Sequence, residues 1–170
     1  MSSDLDDQLI DAARFNQLQK VVDLIEQGAN PNVDDSLPLF WASKHANMQM
    51  VRYLIPLCEV SAWHNEALRI AYVSKHWSVC KTLLPYCDPL DPQSMVNPLH
   101  LACKMEWSDI VSDYLNTYSI DADAEINRMR EEKYTPSQIA VLENIVQSRV
   151  LNKKIGEEIS LSNLNVKRKI

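Results

Sequence analysis

Apolar residues along this chain fall into short paired clusters separated by a polar break. In the clearest pair, Leu99, Ala102 and Cys103 make a narrow apolar face, and Glu106-Trp107-Ser108 interrupts it. Ile110, Val111, Tyr114 and Leu115 then follow at helical spacing. Asn97 can accept a hydrogen bond from a free N–H and Pro98 suits a first helical position, so the pattern predicts a helix start and a short helical hairpin. Second apolar halves recur at Met50, Val51, Leu54 and Ile55, and at Val79, Cys80, Leu83 and Leu84. Aligned on their heads, the copies begin at Asp7, Leu37, Glu66, Asn97 and Thr135, separated by 30, 29, 31 and 38 residues. Five places after each head stands an alanine: Ala12, Ala42, Ala71, Ala102 and Ala140. Self-similarity at such a period is the mark of a repeat architecture.

Pro98-Leu99-His100-Leu101-Ala102, with the apolar pairs after it, resembles the ankyrin repeat pattern TPLHxAAxxGHxxVVxxLL. Leu24-Ile25-Glu26-Gln27-Gly28-Ala29-Asn30-Pro31-Asn32-Val33 is similar to the ankyrin segment LLLxxGADVN, with Gly28 as the left-handed residue that ends the helix. Leu83-Leu84-Pro85-Tyr86-Cys87-Asp88-Pro89 resembles the LLPxxDP variant of bacterial, phage and giant-virus ankyrin proteins. The resemblance implies an all-α ankyrin-repeat solenoid of about five helix-turn-helix repeats with short hairpin loops. The repeats fall near 5–34, 35–63, 64–94, 95–118 and 133–152, within a domain over 1–152. Residues 118–133 read as an insertion, where Asp123–Arg130 could add an extra turn or two of helix. Residues 153–170 read as a cap or flexible tail ending in a solvated Lys167-Arg168-Lys169, and Met1–Asp4 as a disordered lead-in.

The chain departs from the pattern in several places. It has only 2 glycines, whereas ankyrin repeats commonly use glycine between helices and in hairpin turns. Ile55-Pro56 and Leu84-Pro85 put proline in the last turn of a second helix, and Ser137-Gln138 replace the usual Leu-His after Thr135-Pro136.

Hydrophobic content of 46% and the absence of any long apolar run point to a soluble globular chain without a membrane span. Residues 1–35 hold 8 acids against 2 bases, so the amino-terminal end carries the net charge of −6. Nucleic acid is a poor partner for such a chain, because phosphate binding needs clustered Lys and Arg. Asp4, Asp6, Asp7 and Asp11 suit the positive end of a first helix and make a polar cap. Cys58, Cys80, Cys87 and Cys103 show no CxxC spacing, which predicts reduced thiols in a cytoplasmic setting; export into a host cell stays open.

His45, His64, His76 and His100 show no zinc-ligand spacing, and no nucleophile elbow, P-loop or dinucleotide fingerprint occurs. The residues therefore favour a chain with no metal, no cofactor and no enzymatic activity over a Cys/His enzyme. Binding has positive support from the resemblance. In ankyrin solenoids, hairpin tips and first-helix ends line a concave surface. Here the helix ends carry Arg14 and Phe15, Lys44 and His45, Val73 and Ser74, and Lys104 and Met105; the tips carry Asp34-Asp35-Ser36, Trp63-His64-Asn65 and Ser94-Met95-Val96. Exposed aromatic residues and Met beside Arg and His are the types that anchor interfaces. The expected partner-binding set is Arg14, Phe15, Lys44, His45, Trp63, His64, Asn65, Lys104 and Met105, on a chain monomeric when free. The partner is another protein, and a basic one blocked by the acidic first repeat is the alternative reading.

Overall fold

The computed structural model describes residues 4–167, with side chains through Glu158, and shows helices and turns with no strand among the described residues. It forms two compact units, Met1–Leu101 and Ala102–Ile170. Met1–Ser3, most of the expected lead-in, and Arg168–Ile170, with two of the three basic residues at the end, lie outside the described residues; Asp4 already opens the first helix.

The first unit holds three helical hairpins: α1 (Asp4–Arg14) with α2 (Leu18–Glu26), α3 (Val33–Lys44) with α4 (Met48–Leu54), and α5 (Ala62–Val73) with α6 (Trp77–Leu83). A 3₁₀ turn at Leu84–Tyr86 continues α6, because Pro85 cannot donate to an α-helical ladder. Helices α1, α3 and α5 pack side by side, and α4 packs on α6. Two positions produce this layer. Leu9, Leu39 and Leu68, each two places after its hairpin head, are fully buried, and Ala12, Ala42 and Ala71 bring the helices close. Truncating one such leucine to alanine removes about 2–5 kcal/mol. Asp4, Asp6 and Asp7 occupy the first turn of α1, where the helix dipole favours them.

Each first helix ends on a left-handed residue nine places after the head: Asn16, Ala46, Lys75 and Glu106, with φ of 59, 52, 60 and 57°. The scarcity of glycine is thus met by forcing ordinary residues into that conformation, at roughly 1–2 kcal/mol each for those with a full Cβ. The geometry is held by paired backbone bonds. Asn47 N–H donates to Ala42 O at 3.1 Å and Ala46 N–H to Ser43 O at 3.2 Å; His76 N–H donates to Ala71 O at 2.9 Å and Trp107 N–H to Ala102 O at 2.9 Å. These are Schellman closures, and the accepting carbonyl belongs each time to the alanine of the shared register.

Helix α7 (Pro98–Lys104) straddles the two units and starts as expected, with Asn97 Oδ1 accepting His100 N–H at 2.9 Å. The second unit continues with α8 (Ser108–Thr117), α9 (Ala122–Glu131) and α10 (Pro136–Lys167). Two expectations need revision here. The insertion is a ten-residue helix, α9, rather than an extra turn or two; Asp121 caps it through Ala124 N–H at 3.1 Å, and Ile126 and Met129 are buried. The fifth copy is not a hairpin. Asn144, nine places after Thr135, lies inside the unbroken α10, which also absorbs residues assigned to a tail. Thr135 and Gln138 form a reciprocal capping box at its start, with Thr135 N–H donating to Gln138 Oε1 at 3.0 Å. Val141 to Val146 then offer no residue that prefers to break a helix apart from Asn144, and Leu142 is fully buried in a face that runs straight on. Ala140 accordingly stays half-buried, unlike its four counterparts. Helix α10 packs on α8 and α9, and the Arg149 guanidinium donates to Ser112 O and Leu115 O at 2.9 and 3.0 Å, closing the end of α8.

Ala71→Leu overpacks the α3–α5 contact and is expected to lower stability by about 1–3 kcal/mol in a urea melt. Lys75→Gly removes a left-handed penalty from an exposed residue and is expected to raise stability by about 0.5–1 kcal/mol, whereas Ala46→Val lowers it by more than about 1 kcal/mol. Thermal melts of the pair check the sign of each.

Candidate functional site

In the first unit the helix ends form an aromatic and basic row centred on Trp41. The Arg14 guanidinium lies 5.6 Å from the Trp41 ring and 5.9 Å from Phe15, and the Lys44 ammonium lies 4.6 Å from Trp41. His45 stacks on the same indole at 6.1 Å, and Phe40 meets it edge-on at 5.3 Å. Phe15 is 66% exposed. Trp41 is absent from the expected site set, yet Trp41, Lys44 and His45 stand at i, i+3 and i+4 on one helix, a spacing that places them together.

The helix-end carbonyls of this row are bonded by side chains from the following repeat. His45 Nε2 donates to Arg14 O at 2.8 Å and His76 Nε2 to Lys44 O at 3.1 Å; a carbonyl only accepts, so Nε2 carries the proton in both rings. Asn47 also donates to Asn16 Oδ1 at 2.7 Å. His45 therefore links repeats as well as lining the row.

The tips of the second and third repeats are not extended fingers but single left-handed turns. Asp34, Asp35 and Ser36 have φ of 46, 56 and 64°, and Trp63, His64 and Asn65 have φ of 48, 57 and 61°. In both, the third residue is buried and reaches 23 residues onward: Ser36 Oγ donates to Glu59 O at 3.1 Å, and Asn65 both donates to Asp88 O and accepts Asp88 N–H at 3.1 Å. Asn65 is thereby removed from the candidate surface, since its amide is buried and used within the fold. The first two residues of each turn are exposed, Trp63 by 60%. His64 Nδ1 meets Asp91 Oδ2 at 2.9 Å. Asp91 is held below the usual carboxylate range, mainly by the Gln93 N–H and also by His64. At the next tip Met95 is exposed without a left-handed turn.

Lys104 and Met105 belong to the second unit, at the end of α7, where Lys104 is exposed, Met105 half-buried, and Gln138 donates to Lys104 O at 3.3 Å. Thus the first unit gathers Arg14, Phe15, Lys44 and His45 in one row, with Trp63 and His64 at a tip.

All four cysteines are free thiols. Burial pushes Cys58 and Cys103 up to about 12 and Cys80 to about 11, and it raises Cys87 further. No group of three or more His, Cys, Asp or Glu among the described residues could hold a metal, and no helix among them is long and apolar enough to cross a membrane.

A family model described as ankyrin repeats in three copies matches residues 9–95, just over half of the chain. The chain belongs to the ankyrin repeat family, whose members serve generally as protein–protein interaction modules and are typically non-catalytic. No curated protein matches it.

Because a raised thiol pKa depletes the reactive thiolate, alkylation by iodoacetamide at pH 8 is expected to run at least about tenfold slower in the folded chain than in urea. Mass spectrometry of quenched time points measures this for each cysteine.

Proposed function

We propose that this chain is a non-catalytic binding module that docks a protein partner on the exposed helix-end row and tips of its first unit. The observation that carries the reading is Trp63. A tryptophan exposed by 60% on left-handed backbone contributes little to the core and is conformationally costly, which makes it a poor choice for folding alone. Arg14, Phe15, Trp41, Lys44, His45 and His64 supply the amphipathic and charged groups around it. Rigid presentation limits the entropy lost on association, and the bonds from Asn32, His45 and His76 between repeats and from Ser36 and Asn65 within them supply that rigidity. Lys104 and Met105, at the end of α7, are the members of the expected partner-binding set that lie in the second unit. A cytoplasmic location and a monomeric free state belong to the same reading, as does the alternative in which docking blocks a basic protein.

Affinity capture from native lysate supplies the partner for the test. Trp63→Ala is expected to weaken the complex by about 2 kcal/mol or more, roughly thirtyfold in Kd, with an unchanged melt. Arg52→Ala on α4 is expected to bind within about twofold of the parent. A titration in which Arg52→Ala abolishes binding and Trp63→Ala does not moves the interface to the second helices and ends the reading.

A further inference from the structure

We infer that the helix-end row of the first unit takes an acidic segment of the partner protein, whose side-chain carboxylates meet the Arg14 and Lys44 heads; the inference rests on the protein-binding reading above. The chain carries 23 acids against 17 bases. Yet residues 14–17, 44–47 and 73–76, the three first-helix ends of this unit, hold Arg14, Lys44, Lys75, two histidines and no acid. Arg14, Lys44 and Lys75 are all exposed. No ion pair among the described residues involves any of them, even though Asp11 stands one turn before Arg14 on α1.

Basic residues in a last helical turn are ordinarily accounted for by the carbonyls they bond and by the helix dipole. Here other groups have taken those carbonyls. Arg14 O and Lys44 O accept from His45 and His76 at 2.8 and 3.1 Å, and Ala12 O and Ala42 O accept the Schellman bonds of Gln17 and Asn47. The two cations rest instead on one ring, 5.6 and 4.6 Å from the centre of Trp41. Their charges therefore fall within about 10 Å of each other, the reach of one Debye length at about 0.1 M salt. Cation–π contact holds both heads in place and neutralises neither. The indole Nε1 between them is shielded and donates to no acceptor among the described residues. The row has donors and positive charge to spare, and it lacks acceptors.

A carboxylate is the group that these heads complement. The planar Arg14 fork donates to both oxygens of one carboxylate, and the Lys44 ammonium donates to a second. Exposed Phe15 beside them offers a face for the segment's apolar part. The acids of the tips do not cancel the row. Asp34 and Asp35 stand at the far end of α3, more than about 10 Å along its axis from Lys44 and beyond that Debye length. What meets the row is set by the row's own charges rather than by the net charge of −6. Three cations make too short a track for a nucleic-acid backbone, whose affinity grows with each phosphate neutralised. A basic segment is repelled, so the docking segment has a sign opposite to that of a basic target.

Three blocked peptides of glycine and serine, carrying two glutamates, two glutamines or two lysines separated by one residue, test this by ¹H–¹⁵N NMR titration of the full chain at low salt. The glutamate peptide is expected to move the Trp41 indole N–H and the amides of Arg14 and Lys44, while the glutamine and lysine peptides leave them in place. Arg14→Gln/Lys44→Gln is expected to weaken the glutamate peptide at least about fivefold. Lys20→Gln/Arg52→Gln removes the same charge from the second helices and is expected to stay within about twofold of the parent. Equal shifts with the glutamine peptide, equal affinity in Arg14→Gln/Lys44→Gln, or equal weakening in both double variants overturns the proposal. So does tighter binding of a thymidine trinucleotide, whose two phosphodiesters match the peptide's charge, because it gives the row to nucleic acid. Against a captured partner the two readings separate. Loss of binding in Trp63→Ala with full binding in Arg14→Gln/Lys44→Gln overturns the acidic segment alone, and full binding in both overturns the docking surface as well.

Discussion

The close approach of α1, α3 and α5 through Ala12, Ala42 and Ala71 is the contact on which the first unit depends. These methyl-sized side chains let neighbouring backbones come together, so that Leu9, Leu39 and Leu68 fill one continuous layer rather than three separate pockets. The same alanines supply the carbonyls that accept the Schellman bonds of Gln17, Asn47 and His76. One position thus sets the spacing between repeats and the point at which each chain reversal closes. It also fixes the start of each second helix, and with it the burial of Val21, Val51 and Cys80.

That dependence explains how much was legible in advance. An alanine recurring five places after each hairpin head needs no structure to be seen, and in four of five copies it is buried where the register demands. The fifth failed because a residue count cannot report a missing reversal. Asn144 tolerates left-handed backbone, but a helix capped by Thr135 and Gln138 and buried through Leu142 has no reason to stop there. The length of α9 was understated for a related reason: Asp123–Arg130 is polar, and its buried pair, Ile126 and Met129, is too sparse to stand out.

The surface was less legible than the core. Phe15 and Trp63 could be named from position alone, but Asn65 sits one residue after exposed His64 and is buried, because a left-handed turn rotates its third side chain inward. Trp41 lies outside the expected set, and it joins the row because Lys44 and His45 follow it at i+3 and i+4 on one helix. The pairing of His64 with Asp91 was invisible, since it depends on which residues face each other 27 positions apart. Nothing in local composition relates His64 to Asp91.

The bonds that cross from one repeat to the next have a consequence for how the first unit opens. Between the first and second hairpins run the links of Asn32 to Leu57 and Glu59, Asn47 to Asn16, and His45 to Arg14; between the second and third run His76 to Lys44. In a linear array, each such link adds to a nearest-neighbour coupling that one hairpin cannot supply by itself. Amide protons in α3 are therefore shielded from two sides, and those in α1 from one. Exchange with deuterium then follows a gradient, fastest from the amino-terminal hairpin and slowest near α3. The left-handed turn at Asp34–Ser36 is anchored at the slow end of that gradient. Its shape persists while the end of the array opens and closes.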